Sequence, residues 1–174
     1  MMKSLLLGCG NSRVKKVHLP GSPNWAGELV AIDMNPNCGA DIVADLSVRP
    51  LVLPFPDDTF DEVGAFDFLE HVGRQGDWKG YFEEFTEYWR VMKPGGLFYI
   101  LVPIGSDYHA DPGHTRFFST NWFWFLDQSW YADCLAKGLQ VTDYRWFYKV
   151  NFKVLEMTNH EGHHLAVVLR KEPA

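Results

Sequence analysis

The sequence predicts an α/β fold of the Rossmann type, with a mostly parallel, twisted sheet. Short apolar runs alternate with turn residues through the first hundred positions, and one clear amphipathic helix lies between two of these runs. Strands that alternate with longer crossover segments are typical of parallel sheets with right-handed connections. The last two apolar runs are joined only by a short turn, which predicts one antiparallel strand at the C-terminal end.

Five strands are predicted in the first 102 residues, from short apolar runs that end at turn residues or acids. A helix is predicted over residues 76–92, because large apolar side chains recur there every three or four positions. Lys93-Pro94-Gly95-Gly96 then ends that helix. The five predicted strands cover residues 4–7, 28–32, 41–44, 62–66 and 97–102.

The last third of the chain is predicted to hold one helix and two strands. Ser119 is a suitable N-cap for a helix that runs to about residue 134. Residues 141–150 and 164–170 are apolar enough to form two strands, joined by a turn around residues 158–162.

Two of the predicted crossovers lack a helix. Residues 10–28 contain Pro20, Gly21 and Pro23, which remove backbone donors and add chain entropy, so this segment is expected to be mostly irregular. Residues 46–61 are rich in proline. Since a parallel crossover needs a dozen or more residues rather than a helix, we expect a minimal fold with reduced helices after strands one and three.

Length and composition favour one domain over residues 1–174 and limit the classes of partner. No apolar run approaches the roughly 20 residues of a membrane span. The three cysteines form no C-x-x-C pair, which predicts a cytoplasmic protein without a disulfide framework. The net charge of −6 disfavours a nucleic-acid substrate, and the one tight basic group (Arg13, Lys15, Lys16) is typical of a solvated loop.

Glycines and an acid at the ends of the first two strands indicate a nucleoside ligand. Gly8-Cys9-Gly10 lets the backbone approach a ligand closely, and Asp33 stands where an acid reaches ribose hydroxyls. A dinucleotide fingerprint needs a third glycine where this chain has Arg13, and no helix N-terminus follows to hold a pyrophosphate. The pattern therefore argues against NAD and favours a cofactor without phosphates.

Six segments, in order, strengthen this interpretation. Together they resemble the class I S-adenosylmethionine-dependent methyltransferases of the small-molecule type, over roughly residues 3–103. This resemblance implies S-adenosyl-L-methionine as the cofactor and methyl transfer as the reaction. The segments are LLLGCGNSR, VAIDMNP, DIVADL, LPFPDDTFDEV, FDFLEHV and YWRVMKPGGLFYILVP.

The resemblance also implies a set of cofactor-binding residues at the C-terminal ends of the first four strands. For Asp33 and Asp45, a plain turn or helix-cap acid is the alternative. Those implied beneath the methionine part are Gly8, Cys9 and Gly10; those at the ribose are Asp33 and Met34; those at the adenine are Asp45 and the backbone of Leu46; and the backbone of Phe66 and Asp67 would receive the amino group.

The acceptor is predicted to bind beside the loop of residues 108–118, which follows strand five and could close as a lid. His109 and His114 are candidate bases there, and Arg116 could clamp an anionic group on a small-molecule acceptor. His71, after strand four, is a further candidate base. The alternatives are that Arg116 pairs with a loop carboxylate and that His71 braces the next segment.

No metal ion is predicted. The spacing His109-x-Asp111-x-x-His114 is not diagnostic of a metal site, and no fourth ligand accompanies it. Within segment 117–131, the four consecutive aromatic residues 122–125 cannot all lie on one side of a helix. They line a cleft or an interface with a second copy or a partner chain, or they pack a satellite core.

Two functions of different classes follow from these observations. The leading one is S-adenosylmethionine-dependent methyl transfer to a small or medium-sized acceptor. The alternative is a non-catalytic binding or scaffold subunit with the same fold, for which the shortened helices and the aromatic segment would suit an interface. An NAD-linked oxidoreductase is disfavoured by the absence of a phosphate site.

Overall fold

A seven-stranded sheet forms the centre of the computed structural model, which describes residues 1–160 and 162–174. The strand order is β3-β2-β1-β4-β5-β7-β6, and β7 runs antiparallel to the other six described strands. The predicted Rossmann-like fold with its antiparallel C-terminal strand is therefore confirmed. The strands are β1 Lys3–Leu7, β2 Glu28–Asp33, β3 Ile42–Val43, β4 Phe60–Phe66, β5 Met92–Pro103, β6 Asn151–His160 and β7 His164–Glu172.

Three α-helices accompany the sheet: α1 Trp78–Val91, α2 Thr120–Trp124 and α3 Gln128–Ala136. Asp77 caps α1 by accepting a hydrogen bond from the Gly80 amide at 3.0 Å. Short 3₁₀ turns occupy Leu69–His71 and Asp107–Ala110. Within the described residues, none of the helices has the length and apolar character required to cross a membrane.

The predicted helix over residues 119–134 is wrong as one element, because the structure divides it into α2 and α3. The chain turns between them, and the buried carboxylate of Asp127 accepts a hydrogen bond from the Ser129 amide at 2.9 Å. An acid in this position is an N-cap, so Asp127 begins a new helix rather than continuing the first.

The predicted strand over residues 141–150 is also wrong. This stretch is irregular with one turn, and its aromatic side chains pack on α1: Tyr144 lies 5.2 Å from Trp78 and Tyr148 lies 4.9 Å from Phe82, between ring centroids. The first strand of the final hairpin is instead β6, which includes part of the predicted turn. Glu161, in that predicted turn, lies outside the described residues.

One side of the sheet, here called the helical face, carries the larger core. Alternate residues of the strands, such as Val63, Ile100 and Val167, are fully buried there against α1 and α2. Edge-to-face and tilted ring pairs fill the space, including Tyr88 with Phe98 at 5.3 Å. This face follows the usual packing of a helix layer on a sheet.

The other side, here called the coil face, is covered by residues 11–27, which contain no helix, as predicted. Among the described residues, its small buried cluster draws on strands and coil only. Trp25 lies over Gly64, where a Cβ atom would come 2.6 Å from the indole. The buried Lys15 ammonium pairs with buried Glu62 at 2.7 Å and lies 4.1 Å from the Tyr99 ring centroid.

Candidate functional site

A cleft of about 380 Å³ opens at the C-terminal ends of β1, β2 and β4. Open α/β sheets bind ligands at this edge, and the volume lies in the range of about 300–1,000 Å³ typical of small-molecule sites. The cleft brings together residues that the sequence separates by more than sixty positions. Its lining is Gly8, Gly10, Asp33, Met34, Ala44, Asp45, Leu46, Ser47, Asp67, Phe68, His71 and Val72.

The glycine turn forms the floor of the cleft and requires glycine at two positions. Gly8 and Gly10 have φ values of 60° and 50°, in the left-handed region that other residues rarely adopt. A Cβ atom on Gly8 would also collide with the ring of Phe68. The Phe68 ring thus covers the backbone at Gly8, whereas the backbone at Gly10 is open, since a Cβ atom there would meet nothing within 4 Å. Cys9, predicted with them, points away into the cluster of the coil face.

Asp33 connects the glycine turn to β2. One carboxylate oxygen accepts a hydrogen bond from the Gly10 amide and the other accepts one from the Asn35 amide, both at 2.8 Å. Each oxygen retains a second lone pair, so the same carboxylate can accept two hydroxyl groups of a ligand. The turn-acid alternative and the ligand role are thus compatible at this residue.

Asp45 lies at the far end of the cleft. Hydrogen bonds from the Ser47 hydroxyl and amide lower the pKa of its carboxyl, which keeps the group ionised. Leu46 is buried next to it, and Met34 is 66% exposed on the rim. An acid between apolar side chains suits a flat heterocycle with an amino edge. Ser47 was not predicted from the sequence, because a serine in a loop carries no distinctive pattern.

Asp67 follows β4 with a left-handed backbone, φ 51°, which aspartate tolerates better than most residues. Lys16 approaches its carboxylate to 2.6 Å and His164 to 3.1 Å, so the group is flanked by basic side chains. Phe66 turns its side chain to the coil face, 6.0 Å from Trp25. Phe66 is absent from the cleft lining, unlike Asp67.

Next to Asp67, the 3₁₀ turn brings Glu70 and His71 against the loop of residues 108–118. The Glu70 backbone carbonyl accepts hydrogen bonds from the amides of Thr115, at 2.9 Å, and Arg116, at 3.2 Å. Burial raises the pKa of the Glu70 carboxyl to about 8. His114 reaches this point through the loop, with its ring centroid 4.6 Å from that of His71.

Arg116 occupies a different place from the predicted one. Its side chain is 1% exposed and donates to both carboxylate oxygens of Glu84 on α1, at 3.0 and 3.1 Å. A further donation, to the Leu69 carbonyl at 3.0 Å, leaves the guanidinium enclosed. The predicted clamp on an anionic acceptor is therefore wrong for this geometry. The bracing role holds, although Glu84 is the partner rather than a loop carboxylate.

The two histidines of this loop, His109 and His114, differ in their distance from the cleft. His109 is exposed, lies edge-to-face with Tyr108 at 5.1 Å between ring centroids, and does not line the cleft. His114 is not in the lining either, but it contacts His71, which is. Of the four predicted catalytic residues, the structure therefore places His71 at the cleft, His114 directly behind it, and His109 and Arg116 away from it.

Comparison with known proteins gives a consistent assignment of the fold. A family model described as methyltransferase domain matches residues 5–100. No protein in the curated collection matches. A chain of the complex between the Haloferax volcanii Trm112 methyltransferase activator and the putative methyltransferase is similar, with a TM-score of 0.57, 14% identity, and coverage of 98% of this chain and 83% of that one.

Two further structures share the fold. A SAM dependent methyltransferase from Archaeoglobus fulgidus has a TM-score of 0.55 and 14% identity, with 98% of this chain and 86% of that chain covered. The [4+2]-cyclase SpnF has a TM-score of 0.55 and 14% identity, with 99% and 75% covered. Since one of these names is that of a cyclase, the shared fold does not fix the reaction.

Proposed function

This chain belongs to the methyltransferase domain family, as the sequence predicted, and on that premise we propose that it transfers a methyl group from S-adenosylmethionine to a small or medium-sized acceptor. The proposal is supported above all by the cleft, in which the glycine turn, Asp33 and Asp45 lie along one sheet edge. Together they offer bare backbone, a hydroxyl acceptor and an amino acceptor, in the order that a nucleoside with an amino-acid tail requires.

The residues fit this cofactor on observations of the cleft itself. A Cβ atom on Gly10 would meet nothing within 4 Å, so the turn has open backbone there, and the lone pairs of Asp33 that its amide partners leave free suit a ribose diol. Since Lys16 and His164 already pair with the Asp67 carboxylate, the methionine amino group is assigned to the backbone of Phe66 and Asp67, whose carbonyl oxygens can accept from it. When bound, the cofactor supplies an electrophilic methyl carbon on a positively charged sulfur.

His71 is the candidate base of the proposed reaction. It lines the cleft, so its imidazole can take the proton that an acceptor oxygen or nitrogen loses as the new bond to carbon forms. Positioning of the acceptor in line with the methyl group supplies much of the acceleration in such a transfer. We therefore expect His71 to affect turnover more than cofactor binding.

Calorimetric titration tests the cofactor assignment. We expect the protein to bind S-adenosylmethionine and its demethylated product, and not NADH. Asp33→Ala should weaken this binding by about ten- to a hundredfold, because a hydrogen bond to a charged group contributes about 1.5–3 kcal/mol. Asp111→Ala, an exposed loop acid outside the cleft, is the matched control. Unchanged affinity in a folded Asp33→Ala variant would contradict the assignment.

The second candidate function is that of a subunit in a complex with a partner chain, in which this chain is either non-catalytic or activated by the partner. Its support is that the name of one similar structure includes a methyltransferase activator. The aromatic segment 117–131 offers less surface than expected, since Phe118, Phe123 and Leu126 are buried in this chain's own core. Light scattering on the purified protein measures its oligomeric state, and calorimetry measures cofactor binding. A monomer that binds S-adenosylmethionine by itself would favour the enzyme that works without a partner chain.

A further inference from the structure

The side chain of Glu70 is 1% exposed, and neither of its carboxylate oxygens has a hydrogen-bond partner among the described residues. A buried carboxylate normally has a cation or several donors around it, because its desolvation is costly. The nearest cationic candidate in contact is His114, whose Nε2 lies 3.9 Å from Oε1, beyond hydrogen-bond distance. Glu70 therefore presents two buried acceptor oxygens without partners, with the Nε2 atom of His114 next to one of them.

His114 is held in the orientation that a metal ligand needs. Its Nδ1 lies 2.6 Å from the Tyr108 carbonyl oxygen, and a carbonyl can only accept, so Nδ1 carries the hydrogen. The lone pair of the neutral ring is then on Nε2, which faces Glu70. A backbone carbonyl that fixes the tautomer in this way is the usual outer partner of a metal-binding histidine.

His71 completes the set. One ring nitrogen of His71, one of His114 and one carboxylate oxygen of Glu70 all lie within 4.8 Å of one another. Gly113 presses the loop against this ring, since a Cβ atom there would lie 3.2 Å from Nδ1 of His71. The three side chains come from two segments that backbone hydrogen bonds already tie together, so the arrangement does not depend on an ion to form.

We propose that Glu70, His71 and His114 bind one divalent transition-metal ion of the zinc or manganese class. Four ligands at zinc distances lie about 3.4 Å apart, so the widest separation of the three closes by small side-chain rotations. Two imidazoles with one carboxylate favour such an ion over Mg²⁺ or Ca²⁺, which prefer oxygen ligands. Three protein ligands leave a position open beside the cleft.

This inference departs from the sequence prediction of no metal, which considered His109, Asp111 and His114. Among the described residues, the ligand atoms of those three do not form a cluster, and His114 is grouped with Glu70 and His71 instead. The inference does not rest on the proposed function, because an ion can bind whether or not S-adenosylmethionine does. The two assignments of His71 exclude each other, since an imidazole whose lone pair binds a metal cannot accept a proton, so His71 is the base only in the metal-free protein.

The test uses metal-free protein and the metals alone. Calorimetry with Zn²⁺ and Mn²⁺ should show one ion bound per chain, with Mg²⁺ at least about a hundredfold weaker. Co²⁺ should give the visible spectrum of nitrogen and oxygen ligation. Glu70→Gln and His114→Ala should each weaken Zn²⁺ binding by at least about tenfold, whereas His109→Ala, in the same loop, should not.

Two further measurements keep the proposal falsifiable. Glu70→Gln should leave the melting temperature of the metal-free protein unchanged or higher, and should remove the rise that Zn²⁺ gives the wild type. The other cluster of ligand types, Cys9, Asp33 and Cys38, is checked with Cys38→Ser. A thiolate-to-cobalt band that disappears in Cys38→Ser, absence of binding, or wild-type affinity in folded Glu70→Gln and His114→Ala would each overturn the proposal.

Discussion

On both faces of the sheet, a buried glutamate holds irregular segments through ion pairs, but the packing around the two glutamates differs. On the helical face, Glu84 of α1 accepts hydrogen bonds from Arg116 and Arg49, so two loops are fixed to one helix. On the coil face, Glu62 of β4 holds Lys15, so the coil is fixed directly to the sheet. Each glutamate is buried in a regular element, and each cation arrives from coil.

The difference lies in what surrounds the two ion pairs. The helical face has a large aromatic cluster around its ion pair. The coil face has a small cluster, and residues 11–27 contribute few apolar side chains to it. The comparison teaches that a crossover can lose its helix where a buried ion pair and one tryptophan anchor the coil instead.

The largest expected effect is on the helical face. Glu84→Gln leaves the buried guanidinium of Arg116 without its counter-ion, and breaking a buried pair in this way costs about 3–5 kcal/mol. Urea unfolding measures the loss. Glu83→Gln, an exposed neighbour on the same helix, is the control and should change the free energy of unfolding by less than about 0.5 kcal/mol. Equal free energies of unfolding for the two variants would show that the buried Arg116 guanidinium does not need the charge of Glu84.

On the coil face, Lys15→Met should cost about 3 kcal/mol, at the lower end of the range for buried pairs. Glu62 would retain its hydrogen bonds from the Ser4 hydroxyl and the Ala26 amide, which limits the loss. Amide exchange should increase over residues 11–27 and remain unchanged in α1. The double variant Lys15→Met with Glu62→Gln, whose amide oxygen can still accept from Ser4 and Ala26, should recover part of the stability. A global increase in exchange would show that this coil does not open by itself.

A smaller effect is expected from Gly64→Ala, which tests the tryptophan anchor. The new methyl group would overlap the indole of Trp25, and overpacking of this kind costs about 1–3 kcal/mol. Thermal unfolding of Gly64→Ala, Trp25→Leu and the double variant measures the coupling between the two positions. The losses should be clearly less than additive, and strict additivity would show that the ring moves aside without cost.

The fold could be predicted largely because strand-length apolar runs and the periodicity of α1 are local signals. The signal for the irregular segment of residues 11–27 was equally local, since Pro20 and Pro23 disfavour a helix there. The misplaced strand over residues 141–150 shows the limit: its aromatic side chains are as apolar as those of a strand, but they pack on α1 from a turn. That competition between partners is tertiary and leaves no pattern in the sequence.

In the candidate site, too, the residues with a local sequence signal were predicted and those grouped by tertiary contacts were not. Gly8, Asp33 and Asp45 were predicted because each stands at the end of a strand, and strand ends converge on one edge. Arg116 was misassigned because the sequence does not show that its partner is Glu84, 32 positions earlier. The grouping of Glu70 with His114 depends on the path of a loop, which no spacing rule supplies.

The smallest expected effect concerns Cys9, whose thiol reports how tightly the coil face is packed. Burial, followed by its contact with Cys38, raises the pKa of this thiol to about 11. Since the thiolate is the reactive form, iodoacetamide should label Cys9 slowly at pH 8 and about tenfold faster for each pH unit toward 11. The native state retains this proton where the unfolded chain has lost it, so between about pH 9 and 11 the free energy of unfolding falls as pH rises.

The same labelling reaction connects Cys9 to the comparison of the two faces. In Lys15→Met, the loosened coil should expose Cys9 and increase its labelling at pH 8, because burial is the main cause of its raised pKa. Cys134, buried on α3, should keep its wild-type rate and serves as the internal control. Peptide mass spectrometry after timed quenching separates the two cysteines. If Cys9 in the wild type reacts as fast as in urea-denatured protein, the coil face is open at this point and the anchoring by Lys15 and Trp25 does not extend to the glycine turn.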